Sequence, residues 1–126
     1  MIGSTRAVGV WAYPAPTDLR RGYNGLFGMV KNGLARDPLS GDLYLFVNRT
    51  RTGCKVLMYD GTGLCIFMKR LERGRFAAPW RAGSGQPLRL TSTELSLFIE
   101  GCQLVGRQTL SPAEIHAKSL APADRP

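Results

Sequence analysis

Lys69, Arg70, Arg73 and Arg75 place four cations within seven positions of the stretch KRLERGRF (69–76), directly behind the apolar run GLCIFM. Guanidinium groups at this density suit planar, bidentate contact with phosphate oxygens or guanine edges. Arg49, Arg51 and Lys55 form a second group upstream. Between residues 43 and 90 nine Lys and Arg (these seven, Arg81 and Arg89) face only Asp60 and Glu72. The whole chain carries 17 Lys and Arg against 9 Asp and Glu, a net charge of +8, and most of the cations are arginine. Such an excess attracts phosphate-bearing polymers. An acidic protein partner and simple solubility are the competing explanations. Phe76 and Trp80 lie beside the cations as planar surfaces for a base or an Arg.

Catalytic groups are scarce. His116, the single histidine, lies in a weakly patterned tail. Asp60 stands at a DGTG turn, where its carboxylate bonds backbone amides. Glu72 sits among arginines as an internal counter-ion. Gly61-Thr62-Gly63 lacks the Lys and the following helix of a phosphate loop. The chain therefore reads as a non-enzyme without a cofactor. A metal-dependent nuclease built on Asp60 and Glu72 is the weakest of the alternatives.

Three cysteines without a CxxC or Cys/His cluster give neither a disulfide framework nor a zinc site. With a hairpin turning at Gly61-Thr62, Cys65 stands opposite Met58, leaving Cys54 roughly 14 Å away along the strand, beyond disulfide reach. No leader or membrane-span pattern is present, so a reduced, cytoplasmic protein is expected.

The length, 126 residues, suits one core. VGVWAY (8–13) predicts a short strand stopped by Pro14 and Pro16. Thr17 as N-cap, Asp18 in the first turn and the stripe Leu19, Tyr23, Leu26, Val30 and Leu34 predict a helix over 17–34. Its glycines Gly22, Gly25 and Gly28 suggest close packing on a sheet. LYLFVN (43–48), CKVLMYD (54–60) and GLCIFMKRL (63–71) predict an antiparallel meander. Apolar residues on both faces of these strands ask for two covers. Leu88–Leu90 makes a further short strand, and Thr91-Ser-Thr-Glu94 has capping-box spacing before a helix over 92–101. The expected fold is α+β: a central antiparallel sheet of three to five strands packed by two helices, with residues 1–105 as one domain. Residues 106–126 form an extension, with Ser111-Pro112 opening a short helix or fraying. In the meander the 48–55 loop and the 69–75 segment meet at one end of the sheet, and Arg20 and Arg21 extend this patch from the first helix.

The blocks PTDLRRGYNGL, DPLSGDLYLFVNRTRT, KVLMYDGTGLCIFMKRLERGRFAAP and LTSTELSLFIEG, in this order, resemble the TnpB (second reading frame, Orf2) accessory proteins of the sixty-sixth-type bacterial insertion sequences. These are distinct from the RNA-guided nucleases that share the TnpB name. The resemblance spans about residues 8–101, and DGTGLCIFMKRLERGRF follows the family pattern most closely; Ile66, Phe67 and Ala78 depart slightly from it. It implies an accessory protein that works with a separate transposase, with no catalytic activity to carry over. The pattern matches at Asp18, Arg20, Gly22, Asp60, Gly61, Gly63, Lys69, Arg70, Glu72, Gly74 and Arg75.

Residues and resemblance together give a transposition accessory factor that binds DNA through Arg20, Arg21, Arg49, Arg51, Lys55, Lys69, Arg70, Arg73 and Arg75, with Trp80 beside them. The alternative is an adaptor that docks on the transposase, using Trp80 and Phe76 as exposed aromatics.

Overall fold

The computed structural model describes residues 8–82 and 85–101. The expected helix at Ser111 and the 106–126 extension lie outside them. Five strands, β1 (Val10–Ala12), β2 (Leu43–Val47), β3 (Gly53–Tyr59), β4 (Leu64–Arg70) and β5 (Leu88–Leu90), form one sheet in the order β4-β3-β2-β1-β5. Two helices, α1 (Tyr23–Gly28) and α2 (Ser92–Glu100), complete the α+β fold.

The expected meander is β2-β3-β4, antiparallel throughout, with Met58 opposite Cys65 as the turn position requires. The sheet as a whole is mixed, not purely antiparallel: β1 runs parallel to β2, with Val10 beside Leu43, and β5 is antiparallel to β1. Adjacent parallel strands need a long crossover, and the chain between β1 and β2 supplies it with α1.

Each face of the sheet buries one side-chain cluster. Val10, Ala12, Leu45, Val47, Cys54, Val56 and Leu90 meet Leu95 and Phe98 of α2 together with Phe76. Tyr44, Phe46 and Leu57 on the opposite face meet Leu26 and Val30. The period-2 alternation of β2 thus sends successive large residues to two different covers.

The first helix is shorter than its stripe suggests. Thr17 is not an N-cap: it is buried, and its N–H donates to the Val47 carbonyl at 2.9 Å. Pairing with β2 thus continues past Pro14 and Pro16 and delays the helix until Gly22, which caps α1 without a side-chain bond. Asp18 consequently lies in a turn before the helix. After Gly28 the backbone continues as a π-helical turn, Met29–Gly33, and Leu34 N–H reaches back to the Met29 and Val30 carbonyls. Close packing does not explain the glycines as a set. A Cβ at Gly22 would meet nothing within 4 Å, and one at Gly28 only Asn32 at 3.9 Å, whereas one at Gly25 would press on Arg21 at 3.0 Å. Their helix-weakening effect accords instead with an α-helix of six residues.

The capping box of α2 forms as expected: Thr91 Oγ1 accepts from Glu94 N–H at 3.1 Å, and Glu94 Oε1 accepts from Thr91 N–H at 2.7 Å. Just before β2 the buried Asp42 accepts from Gly9 N–H (3.0 Å) and Trp11 Nε1 (3.3 Å), fastening β1 to the start of β2. Arg36 lies 3.5 Å from the same carboxylate and 3.9 Å from the Trp11 ring centroid, and Arg89 lies 4.9 Å from that centroid. Arg36 and Arg89 are therefore engaged in holding β1.

Candidate functional site: a basic cleft and its arginine loop

The loop between β2 and β3 is built by one side chain. Asn48 Oδ1 accepts from the N–H groups of Thr52 (3.0 Å) and Gly53 (3.1 Å), and Arg51 adopts a left-handed φ of 61° to close the turn. Onto this loop the chain leaving β4 is fastened twice. Leu71 N–H donates to the Thr52 carbonyl at 2.8 Å, and Phe76 N–H donates to the Arg51 carbonyl at 2.6 Å. Arg73, Gly74 and Arg75 project between these two clamps, all three exposed.

A cleft of about 700 Å³ opens beside the same loop, between the 16–21 turn and residues 48–50. Arg20, Arg21 and Arg49 line it, with Asn48 and Thr50 adding neutral polar groups. Lys55 ties the two walls together, because its Nζ donates to the Arg21 carbonyl at 2.8 Å across the turn. The start of the first helical segment thus joins the sheet end that carries the other arginines. Asn48 and Thr50 were not singled out from sequence; the 48–55 loop that contains them was the available signal.

Counter-charges are few among the described residues. Asp18 grips Arg20 at 2.8 Å. The hydrogen bonds from the Arg20 side chain and backbone hold the Asp18 carboxyl down at about 2, and the same pairing raises the Arg20 guanidinium. Glu72 lies 3.8 Å from Arg70, both exposed. The closeness of the Asp18 pair makes Arg20 a neutralised neighbour of Arg21 rather than an extra unit of positive field.

Two expected members of the patch lie elsewhere. Lys69 stands opposite Cys54 on the α2 side, and its Nζ donates to the Ile99 carbonyl at 2.8 Å, where a cation suits the helix C-terminus. Trp80 packs half-buried against the α2-side core. Phe76 is not an exposed aromatic: it is 0% exposed and stacks on Phe98, with ring centroids 5.3 Å apart and planes 4° from parallel.

Asp60 and Glu72 cannot share a metal. Asp60 sits in the β3–β4 turn, where Oδ1 accepts from Thr62 N–H and Gly63 N–H, each at 2.9 Å, bonds that lower its pKa. Glu72 lies beyond the other end of β4, whose seven residues span roughly 24 Å. Among the described residues no group of three or more His, Cys, Asp or Glu is placed to hold a metal ion. No helix among them is long and apolar enough to cross a membrane.

The sheet, both helices and the cleft all fall inside the span over which the chain is similar to known proteins. A family model described as IS66 Orf2 like protein matches residues 8–109. Two relatives come from Sinorhizobium fredii (strain NBRC 101917 / NGR234). Uncharacterized protein y4hO is 37% identical over 101 residues, covering 80% of this chain and 86% of that protein. Uncharacterized protein y4jC is 33% identical over 102 residues, covering 80% and 85%. No solved structure matches at a significant level. With the family model covering most of its length, this chain belongs to the IS66 Orf2-like family, and that membership points to an accessory role in the transposition of a bacterial insertion sequence.

Proposed function

We propose that the protein serves transposition as a non-catalytic DNA-binding factor, contacting the phosphate backbone through Arg21, Arg49, Arg73 and Arg75. The observation that carries this reading is the pair of backbone hydrogen bonds, Leu71 to Thr52 and Phe76 to Arg51, which join the two arginine-bearing loops at one end of the sheet. These four arginines are exposed. Each contact with a phosphate releases condensed counterions, so several together give binding that weakens steeply with salt. Arg20 and Arg70, each beside a carboxylate, contribute less field, and Lys55 and Lys69 act mainly by positioning the backbone they bond. Phe76 is buried and Trp80 packs against the core, so neither stacks freely on bases and the expected mode is backbone contact with little sequence readout. The adaptor reading loses its aromatic anchors, since Phe76 is buried and Trp80 packs against the core.

Fluorescence anisotropy with duplex DNA across a salt series tests the proposal. Wild-type protein should bind at low salt, and Arg49→Ala, Arg73→Ala and Arg75→Ala should each reduce the salt slope by about 0.9. Absence of binding at low salt, or binding indifferent to salt, would overturn it. Transposase co-purification that survives nuclease digestion while DNA binding is absent would favour the adaptor instead.

A further inference from the structure

The two edges of the sheet are unlike each other. β5 is three residues long with exposed Arg89 at its centre, a short and charged edge of the kind that resists pairing. β4 is seven residues long, and its stretch Leu64-Cys65-Ile66-Phe67-Met68 holds no charge and no proline. Phe67 is 49% exposed and Met68 57%, on opposite faces of the strand. Phe67 also borders an apolar groove of about 400 Å³ that runs along the α2 side past Met58, Cys65, Leu95 and Ile99.

The hydrogen-bond phase of β4 follows from its two ends. Asp60 N–H bonds to the Gly63 carbonyl and Leu71 N–H to the Thr52 carbonyl. Antiparallel bonding alternates along a strand, so the odd-numbered residues from Gly63 to Leu71 bond inward to β3. Among the described residues no strand pairs with the outer side of β4, to which Leu64, Ile66 and Met68 therefore present their N–H and C=O groups.

We propose that β4 is a dimerisation edge, pairing antiparallel with β4 of a second copy of this chain about a two-fold axis at Ile66, so that two five-stranded sheets become one of ten. In this register Ile66 bonds to its own counterpart and Leu64 to Met68 of the second copy, which satisfies all three outward-facing residues. Phe67 lies opposite Cys65 of the second copy on the α2 face, at the closer, non-hydrogen-bonded spacing. Each Phe67 then covers the other subunit's groove. Charge selects the antiparallel sense. Parallel pairing would set Lys69 and Arg70 beside their own copies, a like-charge cost. The antiparallel register instead sets Lys69 and Arg70 opposite the uncharged Gly63 and Thr62 of the other subunit. The proposal rests on the strand edge and not on the arginines, although Met68 also lines the basic cleft.

Light scattering on the full-length chain over a range of concentrations is the test. Wild-type protein should give twice the 13.8 kDa chain mass. Ile66→Pro removes an N–H that points outward, leaving the β3–β4 ladder intact, and should give the single-chain mass with unchanged circular dichroism. Met68→Lys, at an exposed position, should weaken association at least tenfold and carries the test if the proline variant fails to fold. A single-chain mass for wild type at every concentration overturns the proposal, as does a dimer that persists in Met68→Lys. A monomer that associates only with co-expressed transposase would assign the edge to that partner's strand and likewise overturns it.

Discussion

The N–H of Phe76 donates to the carbonyl of Arg51 at 2.6 Å, which fastens the end of the arginine loop to the turn between β2 and β3. One side chain serves both core and surface here. The Phe76 ring stacks on Phe98 under α2 while its backbone holds Arg73 and Arg75 beside Arg49 and Arg51.

Replacing Phe76 by Ala should therefore do more than open a cavity. Loss of a fully buried aromatic costs about 3–5 kcal/mol, visible as a lower midpoint in thermal or denaturant unfolding. Phe76→Leu, which keeps most of the apolar volume, should cost less than half of that. At temperatures where Phe76→Ala remains folded, hydrogen exchange at the amide of residue 76 should be faster than in Phe76→Leu. Equal unfolding midpoints for the two variants would remove the ring from its anchoring role.

The Asp18–Arg20 pair sets a pH window. The folded-state pKa of Asp18, about 2, lies below the ordinary 3.8. A depressed carboxylate contributes stability that is present above its unfolded pKa and lost as pH falls through the folded one. The contribution should hold constant from neutrality to about pH 5 and fade below 4. Both partners are exposed, so the effect on total stability is small. A carboxyl-carbon NMR titration of Asp18 is the direct check; a midpoint near 4 would show that Arg20 does not hold it in solution.

Burial separates the two described cysteines from reactive ones. Cys54 lies buried in β3, and removal from water pushes its thiol up to about 12 despite the nearby Lys69. The thiolate is the reactive form, so Cys54 should resist alkylation in the native protein at pH 8 and label only on unfolding. Half-buried Cys65 is also raised, by burial and then by the Asp60 charge, and should label slowly. Peptide mapping after a timed pulse of iodoacetamide reads both sites. Fast labelling of Cys54 under native conditions would mean that the α2 face opens readily.

Local chemistry made several elements legible from the chain alone. Thr91 and Glu94 satisfy each other's backbone donors within four residues, so the start of α2 could be read without knowing what it covers. The DGTG turn fixes the β3–β4 register because Asp60 closes it through bonds to Thr62 and Gly63, and that register brings Met58 opposite Cys65. The apolar residues on both faces of β2 likewise announced two covers. The basic excess of the middle of the chain is a property of composition and needs no fold.

Long-range pairing decided the rest. Thr17 has the chemistry of a helix cap, but its N–H finds the Val47 carbonyl thirty residues away, and the chain then turns at 18–21 before α1 begins after Gly22. The same contact swings Arg20 and Arg21 against the 48–50 loop, forming the cleft. Whether an arginine faces water, a carboxylate or a tryptophan ring depends on segments distant in sequence: Arg36 and Arg89 converge on Trp11, and Lys69 turns to the end of α2. Side-chain type determines what a residue can bind. Which partner it meets is set by the parallel placement of β1 on β2, a contact between segments some thirty residues apart that no local spacing encodes.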